Sequence, residues 1–233
     1  NRAAGNGIVL VGIVTVLFIL FGAFATRPFF AIQSNVQETV DGGVSYLSIC
    51  CMFSLGIFVE VLGERLLQAS GRTVYTLVTQ GSGAVANIIL DPVFIFGFEP
   101  LGIPAMGLAG AAVATVIGQW LAAILAIIFN VKCNPDVQFS LKALKPDPQV
   151  MGRILAVGVP SIIMMAIGSV MNFGMNQILQ GFQETATGVF GIYFKLQSFF
   201  FMPLFGINNA TISIVAYNYG ARNPKRITGT LIR

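Results

Sequence analysis

The chain has 233 residues, a formal net charge of +4 and only 9% charged residues, against about 25% in soluble domains. A shortage that deep leaves no outer helix face for water to wet, which excludes a soluble fold. The basic residues are scattered rather than gathered in a stripe, which argues against nucleic acid, and the lack of histidine excludes a His-based metal site or proton relay.

The charge-free stretches define the elements in chain order. No charged residue falls between Arg2 and Arg27, Asp41 and Glu60, Arg72 and Asp91, Glu99 and Lys132, or Arg153 and Glu184. A sixth stretch, 185–221, holds only Lys195. A spanning helix needs roughly 20 apolar residues. The pattern therefore predicts an all-α, polytopic membrane helix bundle with six spans over 8–26, 42–62, 74–98, 104–130, 154–181 and 186–218. Ordinary membrane packing accounts for Cys50 and Cys51, and the three cysteines lack the spacing of a zinc or redox motif.

The loops alternate in charge. One side receives Arg2, Arg65, Arg72, Lys132, Lys142, Lys145, Arg153, Arg222, Lys225, Arg226 and Arg233, and the other only Arg27. Loop Lys/Arg excess marks the cytoplasm, so both ends of the chain are expected on the cytoplasmic side of the cell (inner) membrane. The polar, proline-bearing connection 132–149 reads as a cytoplasmic linker. It separates an N-terminal lobe part, 1–131, with four spans from a C-terminal lobe part, 150–233, with two.

Ionisable groups within a bilayer are costly and mark function by default. Asp91 is the sharpest case. Asn87 and Asp91 stand at i and i+4, on one helix face. Pro92 has no N–H and its ring crowds the preceding turn, which frees the Ile88 carbonyl. A carboxylate, an amide oxygen and a freed carbonyl suit a hard cation, and a partly desolvated carboxylate can hold a proton instead. Capping or pairing at the interface is the plainer alternative. Glu60 reads as a helix-end interfacial charge. Lys195 either snorkels outward or faces a cavity. Asn172 and Asn176, again i and i+4, either line that cavity or bond between helices. Pro160 and Pro203 are expected to bend the fifth and sixth spans. No phosphate-binding loop, HExxH or GxSxG occurs, which disfavours an ATP-driven engine of that type and an intramembrane enzyme.

Three motifs then combine. They are Leu67-Gln68-Ala69-Ser70-Gly71-Arg72, Asn87-Ile88-Ile89-Leu90-Asp91-Pro92-Val93-Phe94-Ile95-Phe96-Gly97, and Leu101-Gly102-Ile103 followed by Gly107-Leu108-Ala109-Gly110-Ala111-Ala112-Val113-Ala114-Thr115. In that order and spacing they resemble the MATE (multidrug and toxic compound extrusion) transporters. The later Gly206-Ile207-Asn208-Asn209-Ala210 and Tyr217-Asn218-Tyr219-Gly220-Ala221-Arg222-Asn223 extend the resemblance over nearly the whole chain. It implies a twelve-helix, two-lobe transporter working by alternating access, of which this chain is an internal piece covering about helices three to eight.

The resemblance further implies a cation-coupling site at Asn87, Asp91 and Thr115, completed by an acid on a helix this chain does not include. The metal expected is at most Na⁺ at those residues. There is no acid on the fifth span, which departs from relatives that place one there. The implied function is a non-enzymatic secondary exporter of small amphipathic or cationic organic compounds. No cofactor is expected beyond Na⁺ or H⁺ as coupling ion, and the full-length protein is expected to be monomeric in the bilayer. Asn172, Asn176, Tyr193 and Lys195 are the candidates for its substrate cavity. A lipid-linked sugar flippase of the same fold is the alternative, although it calls for more basic residues than Lys195. A channel or membrane scaffold ranks third.

Overall fold

The structure is a computed structural model that describes residues 2–33, 36–136, 146–181 and 184–232. Its elements are α1 (Arg2–Phe24), α2 (Thr26–Gln33), α3 (Gln37–Met52), α4 (Leu55–Ala69), α5 (Thr73–Phe96), α6 (Gly107–Cys133), α7 (Pro148–Gln180), α8 (Glu184–Gly220) and α9 (Pro224–Ile232). Among the described residues, five helices, α1, α5, α6, α7 and α8, are long and apolar enough to cross a membrane. The bent pair α3 and α4 supplies a sixth span if counted as one. The all-α membrane bundle expected from charge patterning is thus what forms.

The second predicted span, 42–62, differs in detail. It is two helices meeting at 54° around Phe53 and Ser54. No proline marks the break, and the run from Leu47 to Leu55 is apolar throughout apart from Ser48 and Ser54, so hydropathy reads it as one helix. Arg27 does not lie in an open loop either, because it falls within the short α2 and pairs with Asp41 of α3 at 3.8 Å. The helices α7 and α8 both continue through Pro160 and Pro203.

The chain divides into two compact units, Asn1–Ile154 and Leu155–Arg233. In the first, α6 is the central helix, packing against α3, α4 and α5. Its buried positions are almost all small, among them Gly110, Ala112, Ala114, Gly118, Ala122 and Ala126. Large apolar side chains such as Ile124 and Ile127 face outward. This is the pattern expected in lipid, where helices gain by close van der Waals approach and interhelical hydrogen bonds rather than by hiding leucine from water.

Two such contacts brace the bundle. Gly22 of α1 lies against the Cys51 side chain, and its carbonyl accepts from Thr26 Oγ1 and Ser48 Oγ, each at 3.2 Å. Asn130 of α6 donates to the Gly63 carbonyl of α4 at 2.8 Å and is fully buried.

The turns explain the motifs. After α4, Gly71 takes φ of 72°, its N–H bonds the Gln68 carbonyl at 3.0 Å and the Arg72 N–H bonds the Leu67 carbonyl at 2.8 Å. This is a Schellman stop, which favours glycine because φ is positive. Between α5 and α6, Phe98 and Ile103 form a small bridge around a 3₁₀ turn, Glu99–Leu101.

The connection expected as the lobe linker, 132–149, is partly helical at both ends. α6 runs to Cys133, and α7 opens with Pro148 at its first position, where its missing N–H costs nothing. Asp147 caps it, accepting from the Gln149 N–H at 3.0 Å. The Asp147 N–H in turn donates to the buried Asn6 of α1 at 2.8 Å. Lys142 and Lys145 lie outside the described residues.

The α5 and α6 backbones also approach closely at Gly83 and Gly118. A Cβ on Gly118 would stand 2.8 Å from the Gly83 carbonyl oxygen. Gly118→Val should destabilise the full-length protein in detergent by about 1–3 kcal/mol, the usual cost of overpacking. Gly12→Ala, with nothing within 4 Å, should leave thermal unfolding unchanged or raise its midpoint.

Candidate functional site

The candidate site is built on the α5–α6 crossing. Gly83 and Gly118 bring the two backbones together. One turn along each helix, on the same side of the crossing, lie Asn87 of α5 and Thr115 of α6. Asn87 Nδ2 donates to Asp91 Oδ1 at 3.2 Å and to Thr115 Oγ1 at 3.4 Å. Thr115 Oγ1 also donates to the Ala111 carbonyl at 2.9 Å. All three side chains are half-buried. The structure therefore brings Asn87, Asp91 and Thr115 into one cluster.

A fourth member comes from α3. The Tyr46 hydroxyl lies 3.4 Å from Thr115 Oγ1. It stands 69 positions from Thr115 in the chain, and no local spacing signals it. The cluster thus offers a carboxylate, an amide oxygen left free while its NH₂ group donates, and two hydroxyl oxygens. Hard cations take oxygen ligands of these kinds. Asp91 carries the cluster's single negative charge, so a monovalent cation or a proton would neutralise the group.

A cavity of about 260 Å³ opens beside the cluster. Its polar wall is Glu60 of α4, Gln80 and Asn87 of α5, and Thr115 and Gln119 of α6, with Gly83 and Gly118 between them. Glu60, read from sequence as a helix-end charge, is placed in this wall. One turn along α4, Glu64 is 5% exposed and accepts from Thr79 Oγ1 at 3.0 Å and Gln80 Nε2 at 2.8 Å.

The four remaining candidates lie in the second unit. Asn172 and Asn176 are half-buried on α7. Tyr193 and Lys195 are exposed on α8, and neither lines the groove of about 360 Å³ bounded by Phe194, Gln197, Ser198, Phe201, Met202 and Phe205. Among the described residues, α7 and α8 do not pack extensively along each other. None of the four lines that groove.

Long apolar helices enclosing a polar cluster, with a polar cavity beside it, mark a multi-pass membrane protein. The MatE family model matches residues 1–93 and 160–233, and the chain belongs to that family.

Among curated relatives, the multidrug export protein MepA of Staphylococcus saprophyticus is 26% identical over 207 residues, covering 89% of this chain and 45% of that protein. MepA of Staphylococcus haemolyticus is 27% identical over 194 residues, covering 83% and 41%. Among solved structures, the MATE multidrug transporter DinF-BH, determined as a complex, superposes with a TM-score of 0.89 at 27% identity, over 100% of this chain and 51% of that one. An outward-facing MATE family transporter shares the fold, with a TM-score of 0.84 at 23% identity over the same shares. The chain thus spans about half the length of the relatives it matches.

Tyr46→Phe and Thr115→Val, made singly and together, should show an interaction energy of about 0.5–1.5 kcal/mol in detergent unfolding, the size of one neutral hydrogen bond. Strict additivity would mean that the two hydroxyls do not bond.

Proposed function

We propose that this chain supplies the central half of a secondary active exporter of small amphipathic or cationic organic compounds, driven by inward movement of Na⁺ or H⁺. The observation that carries the reading is the convergence of Asn87, Asp91 and Thr115 on two helices whose glycines allow the contact. A half-buried carboxylate with neutral oxygen partners is costly in a bilayer and is retained where an ion must bind. The names of the relatives, multidrug export proteins and a multidrug transporter, support the substrate class.

In this reading 1–131 and 150–233 belong to two lobes joined by 132–149. The Lys/Arg-rich loops and both ends of the chain face the cytoplasm, and the membrane is the cell membrane. Asn172, Asn176, Tyr193 and Lys195 belong to the substrate path, brought together when the lobes assemble in the full-length protein. Coupling follows from differential affinity. An ion at Asp91 favours one lobe arrangement over the other and shifts the population by that difference.

The test is ethidium efflux from pump-deleted cells expressing the full-length protein. Asp91→Asn should lower ion-driven efflux by about 5- to 150-fold, the ordinary range of coupling free energies, at equal membrane abundance. Efflux at the wild-type rate by the variant would remove Asp91 from the coupling site. Absence of efflux by either form would remove the exporter reading for this compound class.

A further inference from the structure

We propose that Glu60 is a second cation-binding carboxylate, which passes the coupling ion between the Asp91 cluster and the membrane face where α4 ends and α5 begins. The proposal rests on the reading of Asn87, Asp91 and Thr115 as the coupling site.

The cavity beside that site is one continuous space, and it touches both Asn87 and Glu60. Gln80 stands seven residues before Asn87 on α5, which at 1.5 Å per residue is about 10 Å along the helix. Gln119 lies one turn from Thr115 on α6 and fills the interval from the other side. The polar groups therefore form a file: Asp91, Asn87 with Thr115, Gln119, then Gln80 with Glu60. Beyond it, Glu64 holds Gln80 in place. An ionisable side chain within a spanning bundle is costly and marks an ion path by default.

Glu60 differs from Glu64 in the way that matters. Glu64 is buried and satisfied by Thr79 and Gln80. Glu60 lines the cavity and forms no hydrogen bond or ion pair among the described residues. Glu64 shares its helix, α5 and α6 contribute only neutral groups to the cavity wall, and α1 carries no charge between Arg2 and Phe24. Arg65, the nearest cation in sequence, is exposed and bonded to Gln68 at 2.8 Å. Among the described residues no cation neutralises Glu60, so a mobile monovalent cation or a proton is the partner its position suits.

The experiment uses the full-length protein in liposomes, with radioactive sodium and a pH step as the ion probes and ethidium as the substrate probe. Glu60→Gln should lower ion-driven turnover about tenfold, while the half-saturating ion concentration on the Asp91 side and the ethidium affinity stay at wild-type values. Glu60→Asp should restore most of the rate, and it serves as the informative variant if Glu60→Gln fails to accumulate. Wild-type turnover by Glu60→Gln, with unchanged dependence on pH and Na⁺ at the Glu60 side, would overturn the proposal and leave the Asp91 site standing. A loss of ethidium affinity in Glu60→Gln would overturn it by assigning the residue to substrate. Retention of ion-driven turnover by Asp91→Asn would overturn the coupling-site reading, and the present proposal with it.

Discussion

The closeness of α5 to α6 at Gly83 and Gly118 is the constraint on which the rest of the first unit depends. With a side chain on either glycine, the backbones would part and the 3.4 Å contact from Asn87 to Thr115, one turn away, would be lost. Thr115 would then no longer present its hydroxyl to Asn87, and Tyr46 would lose its partner. The absence of two Cβ atoms thus positions an oxygen cluster that neither helix could assemble alone. In water a bulky apolar interface would be the stronger solution, but in lipid tails leucine gains little by being covered. Small residues are therefore placed inside and large ones outside.

The same logic governs the other polar groups. The interior amides and hydroxyls that brace the bundle are tied to a backbone carbonyl of a neighbour or of their own preceding turn, as Asn130 is to Gly63 and Thr26 is to Gly22. These bonds fix helix positions and leave nothing available to a solute. Against that background the cavity wall stands apart. There Glu60 and the Asp91 cluster keep unpaired oxygen atoms beside a space of about 260 Å³. Ser54 Oγ and Asn134 Oδ1 are also buried without a hydrogen-bond partner, so an unpaired carboxylate beside an open space, rather than an unpaired atom as such, sets the proposed path apart from the scaffold.

Much of this is legible in the sequence. The spans follow from charge-free runs, and the Asn87–Asp91 pair follows from a spacing of four on a helix. Thr115 is reached through motif resemblance, because the contact between α5 and α6 is tertiary. Tyr46, Gln80 and Gln119 carry no such signal, since their roles come from which helices lie side by side. The bend at Phe53 and Ser54 is hidden because the local run is almost wholly apolar, with neither proline nor a charge to mark it. Glu60 is visible as a charge near a helix end, but its place beside Asn87 depends on the α4–α6 packing around Gly56 and Trp120.

The loop between α5 and α6 carries a mechanical consequence. Phe98 and Ile103 are cross-bonded at 2.9 and 3.3 Å, and the Met106 N–H reaches back to the Phe94 carbonyl at 3.0 Å, so the connection has no slack. A one-turn slide of α5 past α6 would demand about 5.4 Å of extra chain, and the loop cannot give it without breaking these bonds. Together with the stop at Gly71, which ties α4 closely to α5, this makes the three helices one stiff fork. Any rearrangement around the cluster would tilt that fork as a unit and carry Asn87, Asp91 and Thr115 with it, while Tyr46, on α3, lies outside the fork.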